Sequence, residues 1–291
     1  MRHAAACGGK PSKYDGLCIY AGTEIFRKRQ PFALLPVQKS EGILPRIVPT
    51  QYARLDLPPP VTHGIIKAAR LHGTSFSYVV AVAIALSVFN SSTNPADANA
   101  VMLPVVPIDG RYRLSHDGKL PYIAYGLISA ASMMVPVTML REIDEVARKT
   151  GNLSLFWYAV DELMTKWKAG KSSDLLAALQ NETMQYRRGT IKEAPGKVFP
   201  PVVYYSPIGK VESIVKQSYG SDSRLITVSR PFLSAQSANL LCLGMQTWSW
   251  ESQFTVLLNY STEMYSTDFV KTFSDHVRFY LELTAEVHEQ T

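Results

Sequence analysis

Histidine is the side chain best suited to moving a proton near neutral pH, and this sequence has six of them. None is followed by an aspartate four residues on. His63, His72, His116 and His276 are followed at that spacing by Lys67, Phe76, Leu120 and Tyr280. His3 and His288 lie near the termini. His63 opens a helical pattern and reads as a surface residue. His72 precedes a helix-ending glycine, where its side chain can meet the last carbonyls of the helix. His276 falls on a closing helix near Phe273 and Tyr280. His116 adjoins Asp117 in a turn, but sequence neighbours seldom have the geometry of an acid–base pair. No catalytic residue is assigned from these six. Arg111 and Arg113 directly follow an apolar run. An arginine there braces an interface through a carboxylate or faces an anionic ligand, and bracing is the expected role.

Other chemistry is excluded by spacing. Gly8-Gly9-Lys10 lacks the upstream glycine of a phosphate loop and runs into Pro11. There is no dinucleotide fingerprint, no Gly-x-Ser-x-Gly elbow and no histidine pair spaced to hold a metal. The three cysteines, Cys7, Cys18 and Cys242, have no metal spacing and are odd in number. A reducing interior is expected. Net charge is +6, but the only tight basic clusters, Arg27-Lys28-Arg29 and Arg187-Arg188, have no aromatic platform beside them, so nucleic acid is not an expected partner. The first sixteen residues hold no apolar signal core, and a cytoplasmic location is expected. The sequons at Asn90, Asn152, Asn181 and Asn259 are then matches by chance. The apolar run 78–89 falls short of the roughly 20 residues a spanning helix needs. It reads as a buried core helix, and no membrane partner is expected.

The elements that must position any site follow from periodicity. Residues 1–60 are broken by Pro11, Pro31, Pro36, Pro45, Pro49 and Pro58-Pro59-Pro60. They read as a linker, with short apolar pieces at 17–20, 32–37 and 43–48 that form strands or an arm. From Val61 a short helix runs to His72-Gly73, Thr74 or Ser75 caps the next, and a buried strand is predicted over 101–108, limited by Pro104 and Pro107 to an edge or a bulge. A second strand over 126–137 precedes helices over 139–150, 155–167 and 172–187. The final third turns to β: 197–206, a half-buried strand over 224–230, then a hairpin of 240–248 and 253–260 in which Phe254, Val256, Leu258 and Tyr260 share a face. A closing helix begins near Ser266, with Asp268 in its first turn. The four tryptophans are expected in the core. Helices after strands give a helical layer over a sheet, an α/β class.

This order, with His72-Gly73-Thr74-Ser75, then Pro104-Val105-Val106-Pro107-Ile108-Asp109-Gly110-Arg111, then Tyr205-Ser206-Pro207-Ile208-Gly209-Lys210-Val211-Glu212, resembles the C-terminal half of the chloramphenicol-acetyltransferase-like superfamily. That group includes condensation domains, alcohol O-acetyltransferases and fungal secondary-metabolite acyltransferases, and the resemblance is greatest to the trichothecene type. It runs from about Pro45 to His288.

The resemblance implies a mixed-sheet two-layer sandwich lobe over 61–291, with 1–60 a linker or the remnant of a first lobe. It implies acyl transfer from acyl-CoA, acetyl-CoA above all, to a small alcohol in a tunnel between two lobes. In such enzymes a His-x-x-x-Asp motif of the first lobe supplies the general base, and its aspartate pairs with an arginine of the second lobe. Arg111 matches that arginine; Ser206 and Gly209 match the "S-N-x-G" turn, in which Pro207 replaces the asparagine. Because this chain has no His-x-x-x-Asp motif, the first catalytic lobe is expected to be missing and the chain inactive alone. The competing expectation is a catalytically inactive remnant that serves as a binding or interaction protein.

Overall fold

In a computed structural model, residues 19–21, 33–38, 49–109, 128–171, 201–221, 224–234 and 243–286 are described. Arg111, His116 and the helix expected over 172–187 lie outside them.

The triple proline at 58–60 ends a strand and starts a helix. β2 (Thr50–Leu57) stops at Pro58, which takes the N-cap position, and Pro59 opens α1 (Pro59–Leu71), where a missing N–H is no loss. Gly73, at φ +64, terminates it, and the Thr74 N–H returns to the Ala69 carbonyl at 2.9 Å. α2 (Phe76–Ser91) is buried without a break from Val79 to Val88. Its one polar residue in that run, Ser87, donates to the Ala83 carbonyl at 2.8 Å and so enters the core satisfied. α3 (Val137–Thr150) ends at Gly151 in the left-handed region. α4 (Ser154–Lys171) and α5 (Thr267–Glu286) complete the helical layer. α2 lies in its middle and touches each of the other four helices among the described residues. α1 and α5 cross so closely at Gly64 that an added Cβ would stand 3.0 Å from the Ala285 Cβ.

The strands form a mixed sheet beneath these helices. β1 (Ile19–Ala21), β4 (Ile128–Pro136) and β3 (Ala100–Asp109) pair antiparallel in the order β1-β4-β3. β5 (Val203–Lys210), β8 (Leu243–Trp250) and β9 (Gln253–Ser261) join β2 in the order β2-β9-β8-β5, with β5 and β8 parallel and the other pairs antiparallel. β3 and β5 lie against each other. The segment 33–38 stitches the two sets together. Its Ala33 N–H donates to the Ala100 carbonyl at 3.0 Å and its Leu35 N–H to the Pro201 carbonyl at 2.9 Å. Ala33, Leu35, Leu55 and Leu57 are all buried in the core shared with the helices. The stretch before residue 60, expected as a linker, therefore supplies β1, β2 and this stitch. Its prolines mask the signal, but β2 alternates Ala53, Leu55 and Leu57 toward the helices.

Three other expectations shift. Of the strand placed at 197–206, residues 197–200 lie outside the described residues, and β5 begins only at Val203, after Pro201, which lacks the N–H a ladder needs. It continues past Pro207 through a bulge at Gly209, whose φ is +86. The half-buried strand placed at 224–230 is only β7 (Ile226–Thr227), paired to β6 (Ser218–Tyr219). Ile226 is 67% exposed, so its alternation with Thr227 lies on the surface. The bulge expected from the prolines of β3 is present, with a register shift between Leu103 and Val106. Trp157, Trp248 and Trp250 are buried, as expected of the tryptophans.

Candidate functional site

Alternate residues of a strand face opposite sides of a sheet, and this divides the Tyr205-Ser206 pair. The Tyr205 side chain turns to the helices. It is fully buried, and its hydroxyl donates to the Ser77 carbonyl at 3.1 Å. Burial, outweighing its hydrogen bonds, pushes this phenol above its ordinary pKa. Ser206 turns to the other face, which none of the described helices covers.

Ser206 and Gly209 head two rows across that face. Register places Ser206 beside Gln246, Gln246 beside Leu257, and Leu257 beside Arg54. The next row is Gly209, Trp248, Thr255 and Asp56. A third, on the other side, is Tyr204, Gly244, Asn259 and Tyr52. Two amides meet between rows: the Asn259 Nδ2 donates to the Gln246 Oε1, with Asn259 1% and Gln246 8% exposed. Gly244 makes room for them. A Cβ there would sit 1.8 Å from the Asn259 Oδ1.

A charged corner closes the array. The Asp56 Oδ1 accepts from the Arg54 Nε at 2.8 Å and from the Thr255 hydroxyl at 2.7 Å, and its Oδ2 accepts from Arg230. The Arg54 guanidinium lies 5.7 Å from the centre of the Trp248 ring. Partial burial would raise the Asp56 carboxyl, but the hydrogen bonds from Thr255 and Arg54, the charge of Arg54 and the bond from Arg230 outweigh it and hold the pKa below the ordinary value. Asp56 is thus a fixed carboxylate and a poor base.

The described histidines lie elsewhere. His63 is exposed on α1, His72 caps the C-terminus of α1 and stacks on Trp157 at 4.1 Å, and His276 is on α5. The last is half-buried, with its Nδ1 3.4 Å from the Ser91 Oγ. Burial and the nearby Arg148 charge lower its pKa. It adjoins a network in which Asp144 accepts from Asn90, Arg148 and Tyr280. His72, Thr74, Ser154, Trp157, Tyr158 and Asp161 line a cleft of about 400 Å³ on the helical side. No group of three or more potential metal ligands occurs among the described residues.

The far face of the sheet therefore carries amides, hydroxyls and a fixed ion pair, but Gln246, Thr255 and Asn259 are buried on it, and Ile208, Val211, Val215, Val228 and Leu233 pack over its Trp248, Trp250 and Leu257; among the described residues it carries no histidine. Ser206 and Gly209 share it; Arg111 lies outside the described residues. Sequence reading missed Gln246, Asn259, Thr255, Arg54 and Asp56. The signal was the complement of the Phe254, Val256, Leu258 and Tyr260 face: Thr255 and Asn259 alternate with those apolar residues on a strand that is buried on both sides.

No protein-family model matches the chain, and no curated protein matches its sequence. Solved structures match its fold. The TRI3 trichothecene 15-O-acetyltransferase from Fusarium sporotrichioides superposes with a TM-score of 0.72 at 16% identity, over 90% of this chain and 51% of that one. The epimerization domain from the third module of tyrocidine synthetase B gives 0.55 at 12%, over 91% and 54%. The X-domain from teicoplanin biosynthesis gives 0.53 at 15%, over 88% and 51%. The chain spans about half the length of these structures. Its mixed α/β fold is the fold of about half of each of these three structures. Of these three, the trichothecene acetyltransferase superposes with the highest score.

Proposed function

We propose that this chain is the second lobe of an acyltransferase that moves an acyl group, acetyl from acetyl-CoA, to the hydroxyl of a small secondary metabolite of the fungal type. The observation that carries this reading is the superposition on the trichothecene acetyltransferase over nine-tenths of the chain. Ser206 and Gly209, on the face of the sheet turned away from the helices, are proposed to line the acceptor's path, and Arg111 is proposed to brace the partner lobe. In the reaction a base removes the acceptor's proton, its oxygen attacks the thioester carbonyl, and the thiol of CoA leaves. No His-x-x-x-Asp motif is present in this sequence, so the base is assigned to a first lobe. Without a base, a rate loss of about 10²–10⁴ is expected.

That same absence favours a second reading, a non-catalytic binding protein that keeps the lobe fold. Purified chain, acetyl-CoA and a trichothecene alcohol, followed by release of free thiol, separate the two. The half-enzyme reading expects no turnover from the chain alone and turnover once a His-x-x-x-Asp lobe is joined to it. Silence of the joined protein would leave the binding reading. Turnover by the chain alone would overturn both the base assignment and the binding reading.

A further inference from the structure

We propose that the outer face of residues 208–221 and 224–233 is a self-association surface, through which two copies of this chain form a two-fold dimer. The proposal is independent of acyl transfer. After β5 the chain makes a short turn of 3-10 helix over Val211–Ser213 and the small β6–β7 hairpin. Its inner side chains, Ile208, Val211, Val215, Val228 and Leu233, pack on Trp248, Trp250 and Leu257. Its outer side chains do the opposite. Ile214 is 70% exposed, Ile226 67%, Leu225 58% and Phe232 54%, with Tyr219 at 44%. Tyr52 of β2 extends the patch, edge-on to Phe232 at 5.3 Å.

Area decides what can cover it. A large side chain offers up to ~200 Å², and about half of each of these six is exposed, so together they present roughly 600 Å². That is at the upper end of what monomers leave open, ~300–600 Å². With a polar rim it approaches the ~800 Å² that each partner buries in a stable complex. The other exposed large hydrophobics among the described residues, Leu71 and Phe279, lie on α1 and α5 and add nothing to it.

Charge argues for a second copy over a lipid surface. The rim holds the exposed Lys210, Lys216 and Arg224, but also the exposed Glu251, which accepts from Gln217 at 3.5 Å. Arg230 is held by Asp56, and Glu212 accepts the Glu251 N–H at 2.7 Å. Asp222 lies outside the described residues. A two-fold axis sets such a patch against itself, so the cations of one copy meet Glu251 of the other around an apolar centre. An anionic bilayer would be repelled by that carboxylate and would gain only from the cations.

The test is light scattering of the full chain from low to high micromolar concentration, in moderate and in high salt. A dimer is expected that persists in high salt, since apolar burial is not screened. Ile226→Asp and Phe232→Asp, checked by circular dichroism for folding, should each weaken it at least ~10-fold, whereas Leu71→Asp should leave it unchanged. Leu225→Asp serves if either variant fails to fold. A monomer at every concentration, or a dimer insensitive to these substitutions, overturns the proposal. So does a monomer that sediments with phosphatidylcholine–phosphatidylserine vesicles and loses that binding on Ile226→Asp, which would make the surface a lipid-binding one.

Discussion

Gln246 and Asn259 show what single residues contribute to the face of the sheet turned away from the helices. Two buried amides that hydrogen-bond to each other satisfy groups whose isolation would cost about 1–3 kcal/mol each. Gly244 is what lets them meet, because any Cβ at that position overlaps the Asn259 side chain. Gly244→Ala should therefore destabilise the chain by roughly 2–4 kcal/mol, through displacement of Asn259 and the loss of its partner. Urea unfolding of the variant checks this. A loss below ~1 kcal/mol would mean the amide pair relaxes freely. None of this was legible beforehand. Asn259 falls in a sequon and Gly244 in an apolar run, and only the pairing of β8 with β9 sets them opposite each other.

The β8–β9 hairpin carries its own strain. Its turn is Glu251-Ser252, with φ of +48 and +64, the left-handed pair that a tight two-residue hairpin demands and that glycine and asparagine accept most easily. A residue other than glycine there costs about 1–2 kcal/mol. Ser252→Gly should raise stability by ~1 kcal/mol, seen as a higher melting temperature; a fall would show that the Ser252 side chain has a role of its own. Sequence patterning foresaw this hairpin, α3, α4 and α5 from a period of two or of 3.6 residues, and α2 from an unbroken apolar run of helical length. It did not foresee β2, or the ends of β5, because prolines interrupt the pattern while the neighbouring strands still hold the chain in place. For β7 it foresaw a half-buried strand where the chain has only a two-residue surface pairing.

At the scale of the whole molecule, three half-buried groups, Asp56, Asp144 and His276, make stability fall as the medium turns acid. Asp56 ties β2 to the segment before Phe232, and Asp144 ties α3 to α2 and α5. Burial opposes ionisation of both, but hydrogen bonds from Thr255, Arg54 and Arg230 to one, and from Tyr280, Arg148 and Asn90 to the other, hold their pKa values below normal. Their contribution is present above about pH 4 and is lost as pH falls through the folded values. His276 is also depressed, by burial and by Arg148. The unfolded chain takes up that proton first, so stability starts to fall below about pH 6.5. Urea midpoints should drop in two stages, the upper flattened by His276→Gln and the lower by Asp56→Asn. A midpoint that rises between pH 7 and 5 would contradict this.

The sequence by itself determined the α/β class, the buried central helix, the closing helix and the absence of a His-x-x-x-Asp motif, because these rest on local period and local spacing. Tertiary structure alone decided that Ser206 and Gly209 share a face with Gln246, Asn259 and the Arg54–Asp56 pair, that residues before position 60 belong to the sheet, and that an apolar patch lies outside. Each of these depends on which strand pairs with which. A one-residue slip in register would turn every one of those side chains to the other side.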